Sequence, residues 1–333
     1  MTSSAAHLAL FSLLAGVSSA LVVVLAALAY LRRVRIERPP IGTFNGRDTV
    51  VLLCVLSTIP VFYLALPRSL LTGFLVLTFS SALSIGLRPL LRPAALWTVV
   101  GLLIGLNFWL AHTALGTVHG WQLFWAENDV IVFLAAVLVS NLYVQGGMRM
   151  RHVAWFALAL AGYDQIFTSA FPVTNALVEE FLGYPLDPSI GMRWGFDNAA
   201  VGLGDLLVYA LFALTAYKAY GARAARAAVA VVVMCGAVLP AMVPLLINYV
   251  DSRTDTLVPA QVWFGPAAFA TYIWLRRTRG PERTMREFLQ SLAPPVSARL
   301  PHPRHARDRG VGRRPRQLNS SPQLVDSQPS EAR

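Results

Sequence analysis

Apolar positions dominate this chain in long, nearly unbroken blocks. The blocks run about 18 to 24 residues, the length needed to cross the hydrocarbon core of a bilayer as a helix. They place spans near 8–31, 49–66, 70–87, 95–114, 128–146, 153–171, 198–217, 227–249 and 257–275. The third is short and bounded by Gly and Pro. No internal repeat is evident. The pattern predicts an all-α integral membrane protein of about nine transmembrane helices, since only helices or closed barrels satisfy their backbone in lipid. The membrane domain covers residues 1–280. Residues 281–333 are rich in Pro, Ser and Arg, lack apolar periodicity, and are expected to be a disordered tail.

Composition agrees with the pattern. Of 333 residues, 56% are hydrophobic and 14% charged. A soluble domain carries roughly a quarter charged residues. The first block, Leu8–Leu31, is too long for a signal-peptide core and has Arg32, Arg33 and Arg35 after it rather than basic residues before it. It reads as a retained helix.

The net charge of +11 suggests nucleic acid at first sight, but its distribution argues otherwise. Residues 276–333 hold 13 Arg against five acids, so they carry eight of the eleven net charges. An Arg-rich segment beside a helix end is a topology signal or a contact for anionic lipid. No nucleic-acid partner is expected. Cys54 and Cys235 lie in apolar runs without metal-ligand spacing and read as packing residues. The strong preference for Arg over Lys suggests a bacterial protein of the cell membrane.

Orientation follows from the basic residues between spans. Arg32, Arg33, Arg35, Arg38, Arg47, Arg88, Arg92, Arg149, Arg151, Lys218, Arg223 and Arg226 fall in alternate loops, and the intervening loops hold only Arg68, Arg193 and Arg253. The expected N-terminus is outside and the tail cytoplasmic. Residues 172–197 form the longest outside loop.

Ionisable groups in mid-membrane are costly and mark function. Asp164 lies in span six and Asp205 in span seven. The separation from Arg151 to Asp164 equals that from Asp205 to Lys218. At the helical rise, both acids therefore lie about 20 Å above the cytoplasmic edge. Two antiparallel neighbours thus present carboxyls at matched depth. A pair about 3 Å apart cannot ionise twice and shares one proton. The ionised member can take a proton from water while the protonated one donates to a scissile carbonyl. Such a site needs no metal and no cofactor. Gly202 and Gly204 flank the approach to Asp205, where absent side chains admit a close backbone. The competing reading is a Gly-rich packing seam beside a proton-relay acid.

These residues resemble a known family. Tyr163-Asp164 in one span and Gly202-Leu203-Gly204-Asp205 in the next look like the YD and GxGD motifs of the presenilin and signal peptide peptidase aspartyl proteases. The family's third motif is Pro-Ala-Leu at the start of the ninth span. Here that place reads Pro259-Ala260-Gln261, with Gln261 departing from the pattern. The resemblance covers roughly residues 130–275. It implies a presenilin-like bundle that cuts peptide bonds within transmembrane proteins or signal peptides. Asp164 and Asp205 would be the catalytic dyad. Tyr163, Gly202, Leu203, Gly204, Pro259, Ala260 and Gln261 would shape the site. The orientation matches signal peptide peptidase, which implies substrates with a cytoplasmic N-terminus. Prepilin peptidases also carry GxGD but usually place a Lys soon afterwards, whereas Leu206 and Leu207 follow here.

Pro259 ends regular hydrogen bonding, so it marks either an irregular edge able to accept a substrate strand or an ordinary helix start. Glu127 and Asp129 are expected at the outer end of span five. Asn107, His112, Asn141 and Gln145 read as interhelical hydrogen bonders. Asp187 and Asp197 read as solvated loop acids, with Asp197 near the mouth of the site. Two other functions fit the same acids: a proton-coupled transporter or channel, and a non-catalytic homologue that binds membrane segments.

Overall fold

In the computed structural model, the described residues are 3–36, 44–169, 180–187, 191–193, 200–243 and 259–292. The helices are α1 (Ser3–Arg33), α2 (Gly46–Ala65), α3 (Arg68–Leu87), α4 (Pro93–Thr113), α5 (Val118–Gln145) and α6 (Met150–Ser169). A two-stranded antiparallel ribbon follows, β1 (Gly191–Arg193) with β2 (Ala200–Gly202). Then come α7 (Leu203–Tyr220), α8 (Ala222–Val231), α9 (Ala260–Arg279) and α10 (Met285–Leu292). A π-helical stretch, Val232–Val238, continues α8.

Among the described residues, six helical stretches are long and apolar enough to cross a membrane: Leu10–Arg33, α2, α3, α4, α5 and Ala222–Val243. This is compatible with a multi-pass membrane protein. The helices α6, α7 and α9, which carry the site residues and basic ends, are not among these six. Large apolar side chains face outward on several helices, among them Val51, Val55 and Phe62 of α2 and Leu77 of α3. Exposure on that scale is unfavourable in water and ordinary against lipid.

The core is built around α7. Its residues Leu206 and Val208 through Ala216 are all buried, with α1, α5 and α6 packed against it. α6 also runs along α9. Gly265 permits that approach. A Cβ there would lie 2.5 Å from the Ala157 carbonyl oxygen and 2.8 Å from the Ala161 Cβ.

Several polar residues depart from the expectations. α5 begins at Val118, nearly three turns ahead of the expected start at 128, so Glu127 is buried within a helix rather than set at its outer end. Its Oε2 accepts from Asn107 Nδ2 at 2.5 Å, and Asn107 Oδ1 accepts from the Leu186 amide at 2.7 Å. That bond helps hold Leu186 at φ 54°, unusual for a branched side chain. Asp187 is buried, not solvated. Asn141 does bond across helices, to the Ala27 carbonyl at 3.1 Å. Gln145 reaches the segment after α1, accepting from the Ile36 amide at 2.9 Å. Among the described residues, His112 bonds within α4, to the Phe108 carbonyl. Cys54 is exposed rather than packed.

Two boundaries are also corrected. Lys218, expected in a loop, lies inside α7 at 1% exposure. Its ammonium donates to the Val144 carbonyl at the end of α5 and to the Met148 carbonyl just beyond it. Residues 285–292, expected to be disordered, form α10. Phe288 is buried there and sets its ring edge-on against Tyr217 at 5.6 Å. Residues 293–333 of the expected tail lie outside the described residues, as does Asp197.

Candidate active site

The site forms where α6, α7 and the start of α9 meet. The chain enters it through the ribbon. Residues 200–202, expected to be helical, pair instead as a strand, with Gly191 opposite Gly202. A Cβ at Gly191 would lie 1.4 Å from the Val201 carbonyl oxygen, so no other residue fits that crossing. Asp129 holds β1 from α5, accepting the Arg193 amide at 2.8 Å. Gly202 then caps α7, and Asp205 falls in its first turn. The ribbon therefore fixes where α7 starts and hence where Asp205 sits.

Asp164 and Asp205 are both half-buried. The Asp205 carboxyl lies within electrostatic range of the Asp164 carboxyl. Gln261 joins them. Its side-chain Nε2 donates to Asp205 Oδ1 at 2.7 Å. Its backbone N–H faces the Asp164 carboxyl as a donor. Both roles follow from its place in the helix. Pro259 is the N-cap of α9, at φ −68° and ψ 128°, so Gln261 is the second helical residue. Its amide is among the first four, which have no partner inside the helix. A carboxylate is a favourable partner for that end of a helix. Gln261 is 4% exposed, and its Oε1 has no hydrogen-bond partner among the described residues. Pro259 starts the helix, as one of its two readings has it, and the Gln261 amide faces Asp164.

The glycines leave room beside the pair. An ideal Cβ on Gly202 would lie 3.2 Å from Asp205 Oδ2, and one on Gly204 would meet nothing within 4 Å. Leu203 packs against the core. Tyr163 stacks its ring on Phe167 with centroids 4.2 Å apart. Ala260, half-buried, opens α9.

One site residue was missed from the sequence. Tyr209 is fully buried one turn beyond Asp205 and feels the charge of both aspartates. Its hydroxyl donates to the Gly236 carbonyl at 2.8 Å, and its ring meets Phe264 at 4.8 Å. Gly236 lies in the π-helical stretch, where the wider winding frees carbonyls. The spacing of four from Asp205 was the available signal. Tyr209 thereby links α7 to α8 and α9 directly beneath the acids.

The arrangement can hold one proton between two carboxyls, with fixed amide donors to each and open space beside Asp205. No known protein family matches the chain, and neither does any curated protein or solved structure.

Proposed function

We propose that this chain is an intramembrane aspartyl endopeptidase with Asp164 and Asp205 as its dyad. The observation that carries the reading is that one residue, Gln261, turns its side-chain amide to Asp205 and its backbone amide to Asp164, two acids from neighbouring helices within electrostatic range of each other. In this reading the bundle is presenilin-like, with nine spans, an outside N-terminus and a cytoplasmic tail. The protein resides in a bacterial cell membrane. Substrates are transmembrane segments or signal peptides with a cytoplasmic N-terminus. Anionic lipid meets the basic end.

The chemistry follows from one shared proton. The ionised carboxylate takes a proton from water as that water adds to the scissile carbonyl. The protonated carboxyl donates to the carbonyl oxygen, giving a gem-diol. Proton return to the amide nitrogen releases an amine and a carboxylic acid. Gln261 orients both carboxyls. The open side at Gly202 and Gly204 admits an unwound substrate backbone.

A second reading is proton-coupled transport, favoured by the buried hydroxyl of Tyr209 beside the acids. A third is a homologue that binds segments without cutting them. Reconstitution separates all three. Proteoliposomes are loaded with single-span test peptides in both orientations and with a pH-reporting dye. Cuts inside the apolar segment are expected. Proton flux without products would replace the peptidase with a transporter, and peptide retention without either would leave a binding protein.

A further inference from the structure

The segment after α9 carries a second grip on the two aspartate helices, far from the acids. Glu282 accepts from the Met150 amide at 2.9 Å and from the Arg151 amide at 3.0 Å. These are first-turn amides of α6, which need an outside acceptor. Arg283 donates through Nε to the Ala219 carbonyl at 3.0 Å and through Nη2 to the Tyr217 carbonyl at 3.4 Å. These are last-turn carbonyls of α7. An anion thus sits on a helix N-terminus and the adjacent cation on a helix C-terminus, each matched to the local dipole.

The spacing ties the grip to the site. The stretch of α6 from Met150 to Asp164 is as long as the stretch of α7 from Asp205 to Ala219. At the helical rise both acids stand about 21 Å from the gripped residues. One continuous element spans that distance. α9 begins with Gln261 on the acids, and the chain that leaves its other end supplies Glu282 and Arg283. Three further contacts brace the grip. The Tyr220 hydroxyl donates to the Gly280 carbonyl at 3.4 Å. Phe288 of α10 packs edge-on against Tyr217, and the Arg32 guanidinium lies 4.8 Å over the same Tyr217 ring.

We propose that Glu282 and Arg283 are positioning residues that set the axial register of α6 against α7 and so bring Asp164 and Asp205 level. The register holds whatever the acids do; its bearing on catalysis rests on the peptidase reading. A slip of one helix by a single residue moves its acid by about 1.5 Å along the axis. Misplacement of about 1 Å is enough to cost on the order of a hundredfold in rate.

The test has two arms. In the first, Cys54 and Cys235 are replaced, and Asp164→Cys with Asp205→Cys supplies two thiols at the dyad positions. Thiosulfonate cross-linkers of graded span then report register without any catalysis. The shortest linkers should join the thiols when Glu282 and Arg283 are present. With Glu282→Ala and Arg283→Ala, coupling by those linkers should fall at least about tenfold. Unchanged linker preference would overturn the proposal.

In the second arm, Glu282→Gln and Arg283→Lys are made in the otherwise native full chain and assayed for cleavage. Glu282→Gln retains one of two acceptors, so it keeps the protein folded while loosening the grip. The expected effect is a drop in kcat with KM unchanged, since neither residue touches the site. A rise in KM alone, or no change, would count against the positioning role. If the native chain cuts nothing while the linker preference still depends on the grip, the peptidase reading fails and the register device stands.

Discussion

Gln261→Leu is the most informative single change at the site. It restores the residue that the resembling family carries, and it removes the side-chain donor to Asp205 while keeping a similar volume. The lost bond is short, at 2.7 Å, and Gln261 is 4% exposed, so water has little access to replace it. A hydrogen bond to a charged group contributes about 1.5–3 kcal/mol. At about 1.36 kcal/mol per tenfold, that predicts a loss of roughly tenfold to a hundredfold in kcat/KM. The backbone amide that faces Asp164 is untouched, so some activity should remain. Gln261→Glu keeps the length but adds a third carboxylate, and it should abolish cleavage near neutral pH. The assay is cleavage of a fluorescent single-span peptide in lipid, with thermal unfolding as a check on folding. A Leu variant as active as the native chain would refute the account of Gln261 as an orienting group.

Three further outcomes are expected. Gly265→Ala places a methyl 2.5 Å from a backbone oxygen of α6, so it should destabilise the protein by about 1–3 kcal/mol and lower activity together, read by unfolding and cleavage. Gly204→Ala meets nothing within 4 Å, so it should leave unfolding unchanged while reducing kcat/KM if substrate enters there; a drop in both would show a packing role instead. Asn107→Leu strips the partners of the Glu127 carboxyl and the Leu186 amide, and it should cost about 1–3 kcal/mol in an unfolding titration.

Helical content was legible in the sequence because it depends on local signals. Apolar blocks of bilayer length place helices, and a charge inside such a block stands out. The matched positions of Asp164 and Asp205 depend only on counting along two neighbouring helices. What escaped was set by tertiary packing. Residues 200–202 form a strand because Gly191 lets two backbones touch, which no periodicity records. Lys218 looked like a loop charge because α7 ends just beyond it, at Tyr220, yet it turns inward to satisfy the end of α5. Glu127 reads as interfacial because the apolar run of span five begins only after it, and its partner Asn107 lies on a different helix. Gln261 looked like a defect in a motif. Its second-residue place in α9 gives it a backbone and a side-chain donor aimed at different acids, a role that becomes visible only once three helices are assembled. The short helix Met285–Leu292 carries Met285, Phe288, Leu289 and Leu292 at amphipathic helical spacing, a pattern masked by the Pro- and Arg-rich composition around it, and one buried ring, Phe288, anchors it.

The dyad is tested by comparing the native chain with Asp164→Asn and Asp205→Asn, each purified in lipid and offered the same set of single-span peptides, with products identified by mass spectrometry. Cuts inside the apolar segment are expected from the native chain, and none from either variant although both fold normally. The same products from all three proteins would contradict the dyad.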